Sequence, residues 1–209
     1  MSVFKRIEVT YVTRARALVA PLAGWLAGHG VTPNGLTFAG LTLNICAVPL
    51  IVTGHFVWAA VVFLVASVCD MLDGSVARLG DSATPFGAFF DSTADRIAEG
   101  ITLGAVGVYY ARADQFWVVG AVFVALTASF LVSYTRARAE ALGLECKVGL
   151  MSRPERIVLL MAGFLLSPWH IEILTGVVYL LAVLTSFTVV QRVLHVRAQM
   201  LSAEDAEAL

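Results

Sequence analysis

Apolar residues in this chain come in long runs broken by short polar joints. Six such runs can be drawn, over about 36–53, 56–75, 86–110, 115–141, 155–166 and 171–194. A bilayer crossing needs about 20 apolar residues, and every run but the fifth is near that length. The fifth is short and can draw Met151 to Pro154 into its span. The first run follows Val31, Thr32, Pro33, Asn34 and Gly35, a turn with helix-start chemistry. Upstream, residues 7–28 mix basic and apolar positions. A cleaved signal peptide has a similar outline, but Arg14 and Arg16 come late, which suits a retained amphipathic helix lying in the membrane interface. The pattern predicts an all-α integral membrane protein. Six transmembrane helices within 34–195 are preceded by an amphipathic helix over 7–28, and residues 1–209 read as one domain.

Composition supports the membrane assignment. The 209 residues are 59% hydrophobic and 14% charged, against about 25% charged in soluble domains. The net charge of −1 does not bear on nucleic acid, but there is no long basic tail, and no nucleic-acid partner is expected. The basic residues are unevenly placed. Lys5, Arg6, Arg14 and Arg16 precede the first run, and Arg78 lies between the second and third. Arg136, Arg138, Lys147, Arg153 and Arg156 surround the joint between the fourth and fifth, and Arg192 and Arg197 close the sixth. The opposite joints hold only Arg112. By the positive-inside rule this predicts a multi-pass cell-membrane protein with both termini, and the chemistry described next, on the cytoplasmic side. Cys46, Cys69 and Cys146 are scattered and read as small apolar fillers. His29, His55, His170 and His195 have no ligand spacing and read as polar-end residues.

Four aspartates interrupt this apolar background. Asp70 and Asp73 are three apart near the end of the second run; Asp91 and Asp95 are four apart near the start of the third. Each pair can share a helix face. One acid at the centre of a membrane helix costs roughly 2.5–3.5 kcal/mol on the mild insertion scale, so four without partners cost on the order of 10 kcal/mol. A short loop joins the two runs, so they are expected to pack antiparallel and bring the four carboxylates together. Carboxylates without soft ligands suit Mg2+ or Mn2+. Two such ions at ~3.5–4 Å can clamp the attacking and leaving oxygens of a phosphoryl displacement. Gly74 and Gly87 permit close approach of a nucleotide or backbone, and Arg78 can reach a phosphate. The plainer alternatives are proton-relay or gating acids of an ion transporter, or helix caps at the membrane boundary. Asp81 and Asp114 read simply as solvated loop residues.

The full spacing is D-x2-D-G-x2-A-R-x8-G-x3-D-x3-D, on Asp70, Asp73, Gly74, Ala77, Arg78, Gly87, Asp91 and Asp95. All eight identities and every gap match the signature of the CDP-alcohol phosphotransferases, which the chain resembles over its whole length. The resemblance implies transfer of a substituted phosphate from a CDP-linked donor to an alcohol, with release of CMP, by a homodimer. It implies that Asp70, Asp73 and Asp91 hold two metal ions, and that Asp95 completes the metal site and serves as general base. Gly74, Ala77, Arg78 and Gly87 would line the CDP pocket, with Thr84 as an extra contact. Asn34 either helps close that pocket or only caps the first helix.

A second cluster bears on the acceptor. Ser133 to Ala141 read SYTRARAEA, and Arg153 to Arg156 read RPER. Arg136, Arg138, Arg153, Arg156 and Arg192 can converge at the cytoplasmic mouth as a pocket for a dianionic phosphate, which favours guanidinium forks. Alternatively they set orientation, bind anionic headgroups or pair with Glu140 and Glu155. Both stretches resemble those of the actinobacterial-type phosphatidylinositol phosphate synthases. That resemblance implies CDP-diacylglycerol as donor and inositol 1-phosphate as acceptor, the latter bound by Ser133, Arg136, Arg138, Arg153, Arg156 and Arg192. Two positions depart from the pattern: Arg136 stands where Lys is common, and Ser152 where Glu commonly precedes RPER. Glycerol 3-phosphate is the neighbouring alternative acceptor.

Overall fold

The computed structural model describes residues 19–80 and 82–207. The amphipathic helix expected over 7–28 therefore falls outside the described residues as far as 18, as do Lys5, Arg6, Arg14, Arg16 and Asp81. Seven helices make up the described chain: α1 Val19–Gly28, α2 Pro33–Val52, α3 Phe56–Leu79, α4 Pro85–Arg112, α5 Phe116–Ala141, α6 Arg153–Leu166 and α7 Ile171–Glu207. No strand occurs among the described residues. The largest departures from the expected runs are at two helix ends. α3 continues to Leu79 rather than stopping near Ser75, and α7 runs to Glu207 rather than ending near Leu194. Polar residues do not end a helix unless something breaks the backbone: α3 runs on to the residue before Gly80, and α7 meets neither glycine nor proline after Leu194.

Where breakers do occur, the ends are sharp. α1, α2, α4 and α5 all finish in the same double-bonded cap. In α5 the N–H of Leu144 donates to the carbonyl of Ala139 and that of Gly143 to Glu140, both at 3.0 Å, with Gly143 at φ +76. Asp114 takes the equivalent place after α4, at φ +56, a conformation short polar side chains tolerate. Two starts are also alike. Thr32 and Thr84 each accept the N–H of the glycine three residues on, Gly35 at 3.2 Å and Gly87 at 3.0 Å, with proline at the first helical position between them.

α2, α3, α5 and α7 are long and apolar enough to cross a membrane. α4 is long enough, at 28 residues, but carries Asp91, Asp95, Arg96 and Glu99. α6 has 14 residues and spans only about 21 Å at 1.5 Å per residue. Large apolar side chains such as Trp117 and Phe123 on α5, and Trp169 in the turn before α7, stand exposed, as expected where hydrocarbon is the solvent and aromatic rings favour the interface.

The chain forms two compact units. The first holds the described residues up to Val48 and Val61–Ile101. There α1, α2 and α3 share a core of Ala23, Leu36, Leu72 and Val76. Gly40 lets α2 approach α3 so closely that a Cβ there would sit 3.3 Å from the carbonyl oxygen of Ala66. The second unit holds Pro49–Ala60 and the described residues from Thr102 onward. In it α7 packs along α5 and α6, around Phe164, Leu174 and Val178, all fully buried. Phe56 stacks on Phe164 at 5.8 Å, and Tyr110 shares a 2.9 Å hydrogen bond with Thr175.

Candidate active site

The acidic site lies within the first unit, on the end of α3 and the start of α4. One carboxylate oxygen from each of Asp70, Asp91 and Asp95 lies within 4.8 Å of the other two, and all three side chains are half-buried. Oxygens bound to one hard cation at ~2.0–2.6 Å stand no more than about 5 Å apart. The three acids thus meet the geometric requirement for a shared divalent ion, and an all-oxygen donor set favours a hard one. Held so close in a poorly solvated setting, three negative charges repel unless a cation is among them.

Asp73 is placed differently from the other three. It is 5% exposed, and both its oxygens have donors. Thr37, on α2, donates its hydroxyl to Oδ2 at 2.6 Å, and the N–H of Gly74 donates to Oδ1. Asp73 does not join the three within the shared distance, although Asp91 and Asp70 remain in electrostatic reach of it. The reason is that Thr37 draws one oxygen toward α2. Arg96 places Nη1 3.5 Å from Oδ2 of Asp95, and the same nitrogen donates to the carbonyl of Ser92 at 2.6 Å.

The residues expected at the nucleotide gather around two glycines. A Cβ on Gly87 would lie 3.1 Å from Oγ1 of Thr84 and 3.2 Å from Oδ1 of Asn34. Asn34, Thr84 and Gly87 therefore meet at one point. The cap of α2 is Thr32, not Asn34, so the capping alternative for Asn34 is corrected: its side chain points across to the first turn of α4. A Cβ on Gly74 would lie 3.3 Å from Nη1 of Arg78. Arg78 also donates to Oγ of Ser75 at 3.3 Å and is exposed. Ala77 is half-buried beside it in sequence.

The arginines lie in the second unit and divide into two kinds. Arg136 and Arg138 are exposed near the end of α5, Arg136 paired with Glu140 at 2.9 Å. Arg153, half-buried, opens α6, and Ser133 is half-buried on α5. Arg156 and Arg192 are buried. Arg156 donates to the carbonyl of Met151 at 3.0 Å. Arg192 donates Nε to the carbonyl of Val148 at 2.9 Å and Nη1 to that of Val132. Arg136 and Arg156 lie within electrostatic reach of Arg192. Before RPER, Ser152 donates its hydroxyl to the Glu155 carboxylate across the first turn of α6.

The sequence profile of the CDP-alcohol phosphatidyltransferases matches residues 30–191, from the start of α2 into α7. The chain belongs to that family. It is a multi-pass membrane transferase of phospholipid biosynthesis that works with a divalent metal, and the transporter alternative is set aside. The phosphatidylinositol phosphate synthase of Corynebacterium glutamicum is 39% identical over 203 residues, covering 93% of this chain and 90% of that protein. The archaetidylinositol phosphate synthase of Methanothermobacter thermautotrophicus is 34% identical, covering 87% and 89%. Among solved structures, the Mycobacterium tuberculosis phosphatidylinositol phosphate synthase with CDP-DAG bound superposes with a TM-score of 0.80 at 33% identity, covering 86% of this chain and 94% of that one. The same enzyme in complex with manganese and citrate gives 0.77 at 34% identity, covering 85% and 88%.

Sequence reading of this phosphatidyltransferase missed Thr37. A threonine in an apolar helix ordinarily bonds its own backbone, and Thr37 has the carbonyl of Pro33 at 3.2 Å as a second acceptor. Only its place four residues after proline at the start of α2, opposite an acid of α3, distinguishes it.

Proposed function

We propose that this phosphatidyltransferase moves the phosphatidyl group of CDP-diacylglycerol to inositol 1-phosphate and releases CMP. The observation that carries the reading is the meeting of Asp70, Asp91 and Asp95 within 4.8 Å, in a chain 39% identical to a phosphatidylinositol phosphate synthase. The acceptor is supported from a second side. Relatives named for different lipid halves, phosphatidyl and archaetidyl, share an inositol phosphate in their names.

In this reading the acceptor hydroxyl gives its proton to Asp95, and its oxygen bonds the phosphorus that carries the diacylglycerol. The bond from that phosphorus to the CMP oxygen breaks. Asp70, Asp91 and Asp95 hold divalent cation, with Asp73 completing the set. Bound there, Mg2+ or Mn2+, two ions in all, supplies charge neutralisation for the diphosphate and its leaving group. Asn34, Gly74, Ala77, Arg78, Thr84 and Gly87 bind the CDP moiety, where the two glycines keep side chains out of the way. Arg136, Arg138 and Arg153, with Ser133, bind the acceptor phosphate. Arg156 and Arg192 belong to the same set. Six crossings within residues 34–195 as one bundle, cytoplasmic termini and site, and a homodimer belong to the same reading; cysteine-labelling from each side of the membrane and cross-linking test them.

The deciding assay uses the purified protein in lipid nanodiscs with CDP-diacylglycerol, Mg2+ or Mn2+, and a panel of phosphorylated and free alcohols, reading CMP. The expected result is kcat/KM for inositol 1-phosphate at least ~10-fold above glycerol 3-phosphate, and no turnover of free inositol. Preference for glycerol 3-phosphate would replace the acceptor while leaving the transferase chemistry in place.

A further inference from the structure

The stretch between α5 and α6, residues 144–152, has no helix or strand of its own. Only Cys146 and Met151 of this stretch are buried, and a segment without regular structure must find partners for its backbone groups elsewhere. Here α7 supplies them with side chains. Gln199 donates to the carbonyl of Glu145 at 2.8 Å, and Arg192 to that of Val148 at 2.9 Å. Gln191 accepts the N–H of Leu150 at 3.3 Å. Thr188 accepts the N–H of Met151 at 3.0 Å while donating its own proton to Leu184 at 2.9 Å. Residues 188, 191, 192 and 199 are spaced three, four and seven apart, so they share one face of α7. The strap is therefore bonded along a single helical stripe.

Two details show how closely it is held. Gly149, at φ +129, is in a conformation that favours glycine, and a Cβ there would fall 2.4 Å from Cγ2 of Thr188. Arg192, 5% exposed, reaches the strap and the Val132 carbonyl on α5 at once. The chain then passes from Met151 through Ser152 directly into Arg153. On α5, Val132 is followed by Ser133.

We propose that Thr188 and Gln191, beside the phosphate-binding Arg192, are positioning residues for the acceptor phosphate. They fix the strap, and through it Arg153, and Arg192 also ties the strap to the segment of α5 that carries Ser133 and Arg136. The inference rests on the acceptor reading given above. Its content is distinct: Thr188 and Gln191 are uncharged, their described bonds are to backbone, and they tune acceptor affinity without touching the phosphate. A strap held in place before binding loses less freedom when the anion arrives.

The test compares full-length wild type with Thr188→Val, Thr188→Ser, Gln191→Ala and Arg192→Lys in nanodiscs, by two measurements. Amide hydrogen exchange without acceptor reads the strap alone. Steady-state kinetics reads the KM of each substrate. Thr188→Val and Gln191→Ala should each speed exchange over 145–152 by ~10-fold or more while α5 and α7 exchange as in wild type. The same variants should raise the acceptor KM ~5-fold or more, with donor KM and kcat within ~2-fold. Thr188→Ser, which keeps the hydroxyl, should restore both, and Arg192→Lys should show the largest change. Faster exchange with an unchanged acceptor KM overturns the proposal, as does an equal rise in both KM values. Acceptor weakening by Arg192→Lys alone, with Thr188→Val silent, overturns it in favour of direct phosphate contact. Should Arg192→Lys not fold, the Thr188 pair decides. If wild type turns over another phosphorylated alcohol instead, the acceptor reading fails, and the positioning role of Thr188 and Gln191 is then judged on that alcohol's KM.

Discussion

The acidic and basic parts of this phosphatidyltransferase are built in opposite ways. The acids come from two helices joined by a short loop, and three of them meet because turn spacing and antiparallel packing bring them together. The arginines come from α5, α6 and α7, and their surroundings differ sharply. Arg138 is exposed, whereas Arg156 and Arg192 are buried with their guanidinium groups on backbone carbonyls. An acid cluster is thus organised by local periodicity, and a basic cluster by what else each long side chain can reach. A carboxylate offers only acceptors on a short stem. An arginine has five donors on a long one, and some are taken up by the fold itself.

The largest test of this contrast removes the acidic function. Asp95→Asn should lower the rate of CMP release by at least ~1,000-fold while the protein still binds donor, since general-base and metal contributions are lost together. Chelation of divalent metal should do the same reversibly, with activity returning on adding Mn2+. Near-normal turnover in either case would end the parallel between the cluster and a metal site.

Next, Arg153→Ala should raise the acceptor KM by roughly 10–100-fold and the donor KM by less than ~2-fold, as loss of a charged phosphate contact does. Equal changes in both would return Arg153 to an orienting role in the membrane.

A subtler substitution addresses the exception among the acids. Thr37→Val keeps shape but removes the hydroxyl that holds Asp73. Loss of such an outer partner typically weakens metal binding by about 10-fold or more. Manganese titration followed by electron paramagnetic resonance should show it, and Thr37→Ser should bind as wild type. An unaltered Mn2+ affinity in Thr37→Val would mean that Asp73 needs no orientation.

The smallest expected effect is on stability. Gly149→Ala forces a Cβ against Thr188 in a strained backbone conformation. Overpacking costs about 1–3 kcal/mol, so Tm should fall by roughly 5 °C. A Tm equal to wild type would show that the strap moves freely off α7.

How much of this could be read from residues alone varies by element. The runs predicted the helices because apolar length and Gly or Pro punctuation are local. α2, for instance, starts at Pro33 after the Thr32 cap and ends at Val52, two residues before Gly54. The acid site was legible because Asp91 and Asp95 are four apart on one helix and a short joint brings them beside Asp70. Thr37 was hidden because a threonine in an apolar helix looks like any other until its neighbour is known. α4 was legible too: the run drawn over 86–110 matches Pro85–Arg112 despite its acids and Arg96.

By itself the sequence determined the membrane solvent, the helical fold and the metal-seeking acids, since each depends on residues near one another along the chain. Only the tertiary structure decided that Asp73 turns to Thr37, that Thr32 rather than Asn34 caps α2, and that α7 holds the strap before α6. Those outcomes depend on which of several possible partners lies within about 3 Å, and only packing brings such partners into reach.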